Sequence, residues 1–162
     1  MSITTPENVG TNQRFGFEVN FKYTPINWFT LNGDFNYGYF KRLGEFQDQS
    51  FDFTGDQSTS RLTGKFKLPA QFELEVIGNH QSSFQNIQGE VSAVTFADLG
   101  LRKKISKGKL VLNFSVRDVF ASRNREIKTF GEDFFVYSNS ARGRFVTLGL
   151  SYGFGKGEAM TY

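Results

Sequence analysis

The stretch "RFGFEVNFKY", residues 14–23, places Phe15, Phe17, Val19, Phe21 and Tyr23 on one parity and Arg14, Gly16, Glu18, Asn20 and Lys22 on the other. Successive side chains of an extended chain point to opposite faces, so these residues form a ribbon with one apolar and one polar side. The ribbon is as long as the roughly 9 to 11 residues that a tilted strand needs to cross a bilayer, and longer than the roughly 5 to 6 usual in globular sheets. Alternation alone does not decide whether the apolar side meets lipid or a protein core.

Composition bears on that choice. The chain has 162 residues, enough for one ordinary domain, and only three prolines. Its aromatic share is 17%, with 20 Phe, 6 Tyr and 1 Trp, yet its mean hydropathy is −0.39. An aromatic but polar chain is a poor recipe for a compact soluble core, and it is what alternating lipid-facing and lumen-facing positions produce. No window approaches the roughly 18 uninterrupted apolar residues of a spanning helix. The chain has no cysteine, which removes disulfides and thiolate metal sites. "MSITTPENVG" shows neither a basic n-region nor an apolar h-region, so no signal peptide is read there. Net charge is +3 and the pI about 9.2, but the basic residues are scattered singly, without the clustered stripe of a nucleic-acid surface.

Seven strands are expected, at about 13–23, 28–41, 60–68, 72–82, 94–102, 109–120 and 142–154. They form a single β-barrel segment spanning 1–162. "TPIN" is read as the first tight turn, with Pro25 fixing φ. Around "PAQ" at 69–71, a register centred on Ala70 pairs Leu68 with Phe72, Phe66 with Leu74, Lys67 with Glu73 and Lys65 with Glu75. That register satisfies both faces at once. The connections after strands one, three and five are short, whereas polar segments such as 42–58 and 121–140 read as long loops. Short turns at one end and long loops at the other characterise a transmembrane antiparallel up-and-down β-barrel. Aromatics gather at both ends, with Tyr23, Trp28, Phe29, Phe72, Tyr152 and Phe154 near the short turns and Tyr37, Tyr39, Phe84 and Phe120 near the loops. The polar parity is charged, including Glu18, Lys22, Asp34, Arg61, Lys65, Lys67, Glu73, Glu75, Asp98, Arg102 and Arg117. A narrow dry barrel could hold these only if every one were paired, and a wide wet lumen accepts them.

The closing residues carry a family resemblance. Thr147, Gly149, Tyr152 and Phe154 fit the assembly signal of outer-membrane barrels: polar, any, Gly, any, any, aromatic, any, aromatic. With "RDVF" at 117–120 and "RGRFVTLGLSYGFG" after a long loop, the chain resembles the C-terminal barrel portion of TonB-dependent outer-membrane transporters. The signal usually ends such proteins, whereas "KGEAMTY" follows here. The resemblance implies part of a 22-stranded wall around a plug in the outer membrane of a Gram-negative bacterium. It implies import of a scarce nutrient of siderophore, glycan or peptide class. It also implies contact with outer-membrane lipid, with the barrel-assembly machinery, and with the TonB system through a plug domain that this chain lacks. Seven strands, an odd number, fit a fragment of such a wall. The alternative is a small autonomous eight-stranded barrel, with part of "MSITTPENVG" as the missing strand, in a structural or adhesive role.

No catalytic, cofactor or metal site is expected, and the wall is not read as an enzyme. His80, the single histidine, stands beside Ser82 and Ser83 but shares parity with Phe72, Leu74 and Val76, facing the interface without an orienting acid. Glu45, Asp48, Asp52 and Asp56 do not have the spacing of a twelve-residue calcium loop. Loop aromatics Phe46, Phe51, Phe53, Phe134, Phe135 and Tyr137 are candidates for ligand contact at the mouth of a transporter.

Overall fold

The computed structural model describes residues 10–46, 49–86, 89–130 and 134–154. Apart from one short 3-10 turn, its regular structure is all β: β1 (Gly10–Ile26), β2 (Phe29–Phe46), β3 (Gln49–Leu68), β4 (Phe72–Gln81), β5 (Phe84–Asn86), β6 (Gly89–Val91), β7 (Val94–Ile105), β8 (Leu110–Arg117), β9 (Asn124–Phe130), β10 (Phe135–Ala141) and β11 (Phe145–Tyr152). Seven of these form one antiparallel sheet in the order β1-β2-β3-β4-β7-β8-β11. The other four form a small sheet, β10-β9-β6-β5.

The β3–β4 hairpin has the register read around Ala70, pairing Leu68 with Phe72, Phe66 with Leu74, Lys67 with Glu73 and Lys65 with Glu75. The 3-10 turn Pro69–Gln71 closes it, with Ala70 and Gln71 at positive φ of 57° and 61°. Between β7 and β8 the chain reverses through Ser106, Lys107 and Gly108, all left-handed. The first turn lies later than "TPIN": β1 runs on to Ile26, its register slips between Tyr23 and Ile26, and the reversal falls at Asn27 and Trp28. Proline cannot donate to a ladder, so a slip at Pro25 is where a strand tolerates it.

The expected loop at 42–58 is corrected. β2 and β3 are 18 and 20 residues long and pair continuously from Phe29↔Phe66 to Phe46↔Gln49. The expected loop at 121–140 is also largely strand, since β9 and β10 pair from Asn124↔Ala141 to Phe130↔Phe135. Where both faces of a hairpin meet water, apolar alternation is not needed and backbone pairing alone sustains the ribbon.

Among the described residues three apolar side chains are buried: Val91 (5% exposed), Val94 (6%) and Val111 (1%). Phe15 is 73% exposed, Leu148 77% and Phe154 87%. The phenylalanine-rich parity therefore does not converge on a protein interior. Close packing on this face occurs across strands, as where the Phe21 ring lies over Gly33 and leaves no room for a Cβ there.

β1 and β11 are the edges of the large sheet, and each pairs on one side only among the described residues. Both run from the long-connection end to the short-turn end, so they point the same way. Joining them directly would make a parallel pair, whereas antiparallel closure requires an odd number of further strands between them. Open strand edges do not persist in hydrocarbon, so each needs a partner.

Candidate functional site

The register assembles the alternating strands into two chemically distinct walls. Directly opposed residues share a face, so Tyr23, Leu31, Gly64, Val76, Leu99, Val116 and Val146 form one row across all seven strands. The next row is Phe29, Phe66, Leu74, Leu101, Phe114 and Leu148, in which the Phe29 and Phe66 rings stack at 4.8 Å. Trp28 lies against both of these rings at the short-turn end, at 6.3 and 6.5 Å. Within this apolar surface stands Lys103, a cation to which the sequence reading gave no role. Its ammonium sits 4.0 Å from the centroid of the Phe72 ring, close to the turn, where a long stem lets the charge reach the headgroups.

The apolar surface is a slanted band. On β1 it centres on Val19, whose row continues through Phe35, Ser60, His80 and Thr95 and has thus turned polar by β3. On β11 the apolar stretch centres on Gly149, about seven residues from where that row would arrive after six strand-to-strand steps. At about 3.3 Å per residue and 4.8 Å per step, the drift corresponds to strands tilted by roughly 40°. Transmembrane barrels tilt their strands by about 35–45°.

The opposite wall is polar and, toward the short turns, partly neutralises itself. Lys65 pairs with Glu75 at 2.9 Å, and Glu73 lies between Arg102 at 3.7 Å and Lys104 at 3.4 Å. Lys67 faces Glu73 in register, but the ion pairs of Glu73 go to β7 instead. Arg102 Nε also donates to Asn113 Oδ1 at 3.1 Å. Toward the long connections arginines gather from both sheets: Arg61 on β3 of this wall, and from the small sheet Arg125 on β9 with Arg123 and Arg142 flanking the β9–β10 hairpin. Arg125 Nη2 donates to Gln81 Oε1 at 3.2 Å, fastening the small sheet to β4. The Arg123 guanidinium stacks 4.6 Å above the Phe96 ring.

Just past β8, Asp118 is 3% exposed. Its carboxylate accepts from Ser122 N (2.8 Å), Ser122 Oγ (3.2 Å) and Arg123 N (2.9 Å), while its own N–H donates to Asp98 Oδ1 at 2.8 Å. Burial pushes this carboxyl up. The backbone donors of Arg123 and Ser122, the Ser122 hydroxyl and the Arg123 charge outweigh that and hold it below the ordinary carboxylate range. "RDVF" is thus a turn anchored by its aspartate, which aims the chain into the small sheet.

The assembly-signal residues divide between the walls. Thr147 and Gly149 lie opposite Ser115 and Asn113 on the polar side, whereas Tyr152 and Phe154 are exposed on the other and meet edge to face at 4.9 Å. Of the candidate ligand-contact aromatics, Phe46 and Phe51 lie on β2 and β3. Phe53 is half-buried on β3, its ring 5.4 Å from Phe40 on the polar wall. Phe134, Phe135 and Tyr137 are exposed, and Phe135 meets Phe130 across the β9–β10 pair at 5.3 Å. The two groups therefore sit on separate hairpins.

His80 Nδ1 and Thr95 Oγ1 share a hydrogen bond of 2.7 Å on the membrane-facing parity, and Ser82 Oγ accepts from Ser58 N. Among the described acids of the 42–58 segment, Asp52 and Asp56 stand four residues apart on one strand, about 13 Å along an extended chain. Asp48 lies outside the described residues.

A family model for the outer membrane protein beta-barrel family matches residues 1–152. The chain belongs to that family. It is an outer-membrane β-barrel protein of a Gram-negative bacterium, and an exposed apolar band is the face that such a barrel turns to lipid. No curated protein and no solved structure matches it. The short turns are then periplasmic, and the long connections with their small sheet are external.

Proposed function

We propose that this outer-membrane barrel protein forms part of the wall of a TonB-dependent importer. External loops and a plug capture a scarce nutrient, and periplasmic pulling on the plug opens the lumen. The observation that carries this reading is the polar wall. Its charges outnumber its ion pairs among the described residues: Lys65 meets Glu75, and Glu73 meets Arg102 and Lys104, but Lys22, Lys67 and Arg61 have no carboxylate partner. An eight-stranded barrel fills its interior with side chains and would bury them. A wall of about 22 strands surrounds a wide lumen that accepts them.

In this role the wall performs no chemistry of its own. It contacts outer-membrane lipid and reaches the membrane through the barrel-assembly machinery, with Thr147, Gly149, Tyr152 and Phe154 as the recognised signal. It meets the TonB system through a plug domain. The decisive experiment is nutrient uptake by cells carrying the complete gene, with and without the TonB protein. Uptake that depends on both supports the importer. A chain that forms a heat-modifiable closed monomer in detergent without any plug would support a small structural barrel instead.

A further inference from the structure

The charges on the lumen wall are unevenly paired along its height. In the periplasmic half, Lys65, Lys104 and Arg102 have carboxylate partners, while Lys22 and Lys67 have none among the described residues. At the external end, Arg61, Arg123, Arg125 and Arg142 line one cavity of about 360 Å³ beneath the small sheet, and Asp34 is the single carboxylate among its lining residues. Asp34 stands opposite Arg61 in register, yet none of the four arginines has an ion-pair partner among the described residues. The nearby Asp118 carboxylate is already taken up by the N–H groups of Ser122 and Arg123.

Two of these guanidinium groups are also positioned, Arg125 by Gln81 and Arg123 by the Phe96 ring, and the backbone of Arg142 is tied to that of Arg123, its N–H donating to Arg123 O at 3.1 Å. Like charges gathered on a wall cost free energy unless an anion joins them, and the planar fork of arginine suits the paired oxygens of phosphate or carboxylate. We propose that this cavity is a binding site for a small soluble polyanion, a compound with two or more phosphate or carboxylate groups entering from outside the cell. The inference rests on the proposed function only in taking the polar wall to line a water-filled lumen. Direct binding tests the site, whereas energised uptake tests the importer, so each can fail alone.

The probe is inorganic pyrophosphate, titrated calorimetrically into the protein extracted from outer membranes in lipid-A-free detergent at low ionic strength. Saturable binding is expected, weakening steeply with added salt. The R61Q/R125Q variant is expected to bind at least tenfold more weakly, while K41Q, outside the cavity, binds as the parent does. Unchanged thermal unfolding and heat-modifiability of R61Q/R125Q show that the wall is intact. A single R142Q variant, lying outside the strands, provides a second test should the double variant misfold. A second arm uses nanodiscs containing lipid A, whose phosphates share the same chemistry. Absence of saturable binding, equal loss in K41Q, or arginine-dependent binding to lipid A alone would overturn the proposal.

Discussion

At the scale of single residues, parity decides what a substitution costs. Leu148 lies in the middle of the apolar stretch of β11 and is 77% exposed to what the family assignment makes hydrocarbon, while Thr147 beside it faces the lumen opposite Ser115. Leu148→Arg should destabilise the folded protein by about 2–4 kcal/mol, the cost of an arginine near the bilayer midplane. Thr147→Arg should cost well under about 1 kcal/mol because its charge stays in water. Urea unfolding in lipid vesicles compares the two, and equal costs would contradict the assignment of faces. Asp118 makes a second residue-scale case. Its folded-state pKa is depressed, so its contribution is present above the unfolded value of about 3.8 and is lost as pH falls through the lower folded value. Acid below pH 4 should therefore loosen the 118–123 turn, which hydrogen exchange at Ser122 and Arg123 would report. Asp118→Ala should remove the pH dependence and leave those two N–H groups without their acceptor, at a cost of about 1–3 kcal/mol.

At the scale of elements, the β3–β4 hairpin was fully legible because both of its faces carry information: Leu68 against Phe72 on one, Lys65 against Glu75 on the other. Its ion pair is wet, so its worth is small. Glu75→Lys should destabilise by under about 1 kcal/mol, and adding Lys65→Glu should recover most of that, as a double-mutant cycle in the same unfolding assay would measure. The outer halves of β2 and β3 were not legible. Their polar segment reads as loop because water on both faces removes the alternation, and what holds them is a backbone ladder with ring contacts such as Phe40 on Phe53. The small sheet was equally hidden. β5 and β6 are three residues each, and β6 finds its partner β9 more than thirty residues onward, from Gly89↔Thr129 to Val91↔Ile127. Pairing of that kind leaves no periodic mark in a sequence. The arginine cluster escaped for the same reason, since Arg61 and Arg125 meet only once the small sheet folds over β4.

At the scale of the whole molecule, the tilt of the strands makes a claim about depth that neither a residue nor a hairpin contains. Val19 and Thr95 belong to one row of the register, joined through Phe35, Ser60 and His80. In an untilted sheet, residues of one row would lie at one depth. With strands inclined by roughly 40°, three steps along the row at about 4.8 Å each displace Val19 from His80 by about 9 Å along the membrane normal, and a fourth step carries Thr95 farther still. Val19 should then lie near the bilayer centre and Thr95 at the external headgroups, where its hydroxyl and the imidazole of His80 can meet water. Single tryptophans placed at these positions in a Trp28→Phe background read this directly. Tryptophan at 19 should be quenched most by lipids brominated deep in their chains, and tryptophan at 95 most by lipids brominated near the glycerol. Equal quenching profiles would mean that the band runs level with the register, and the slanted lipid-facing wall would have to be abandoned.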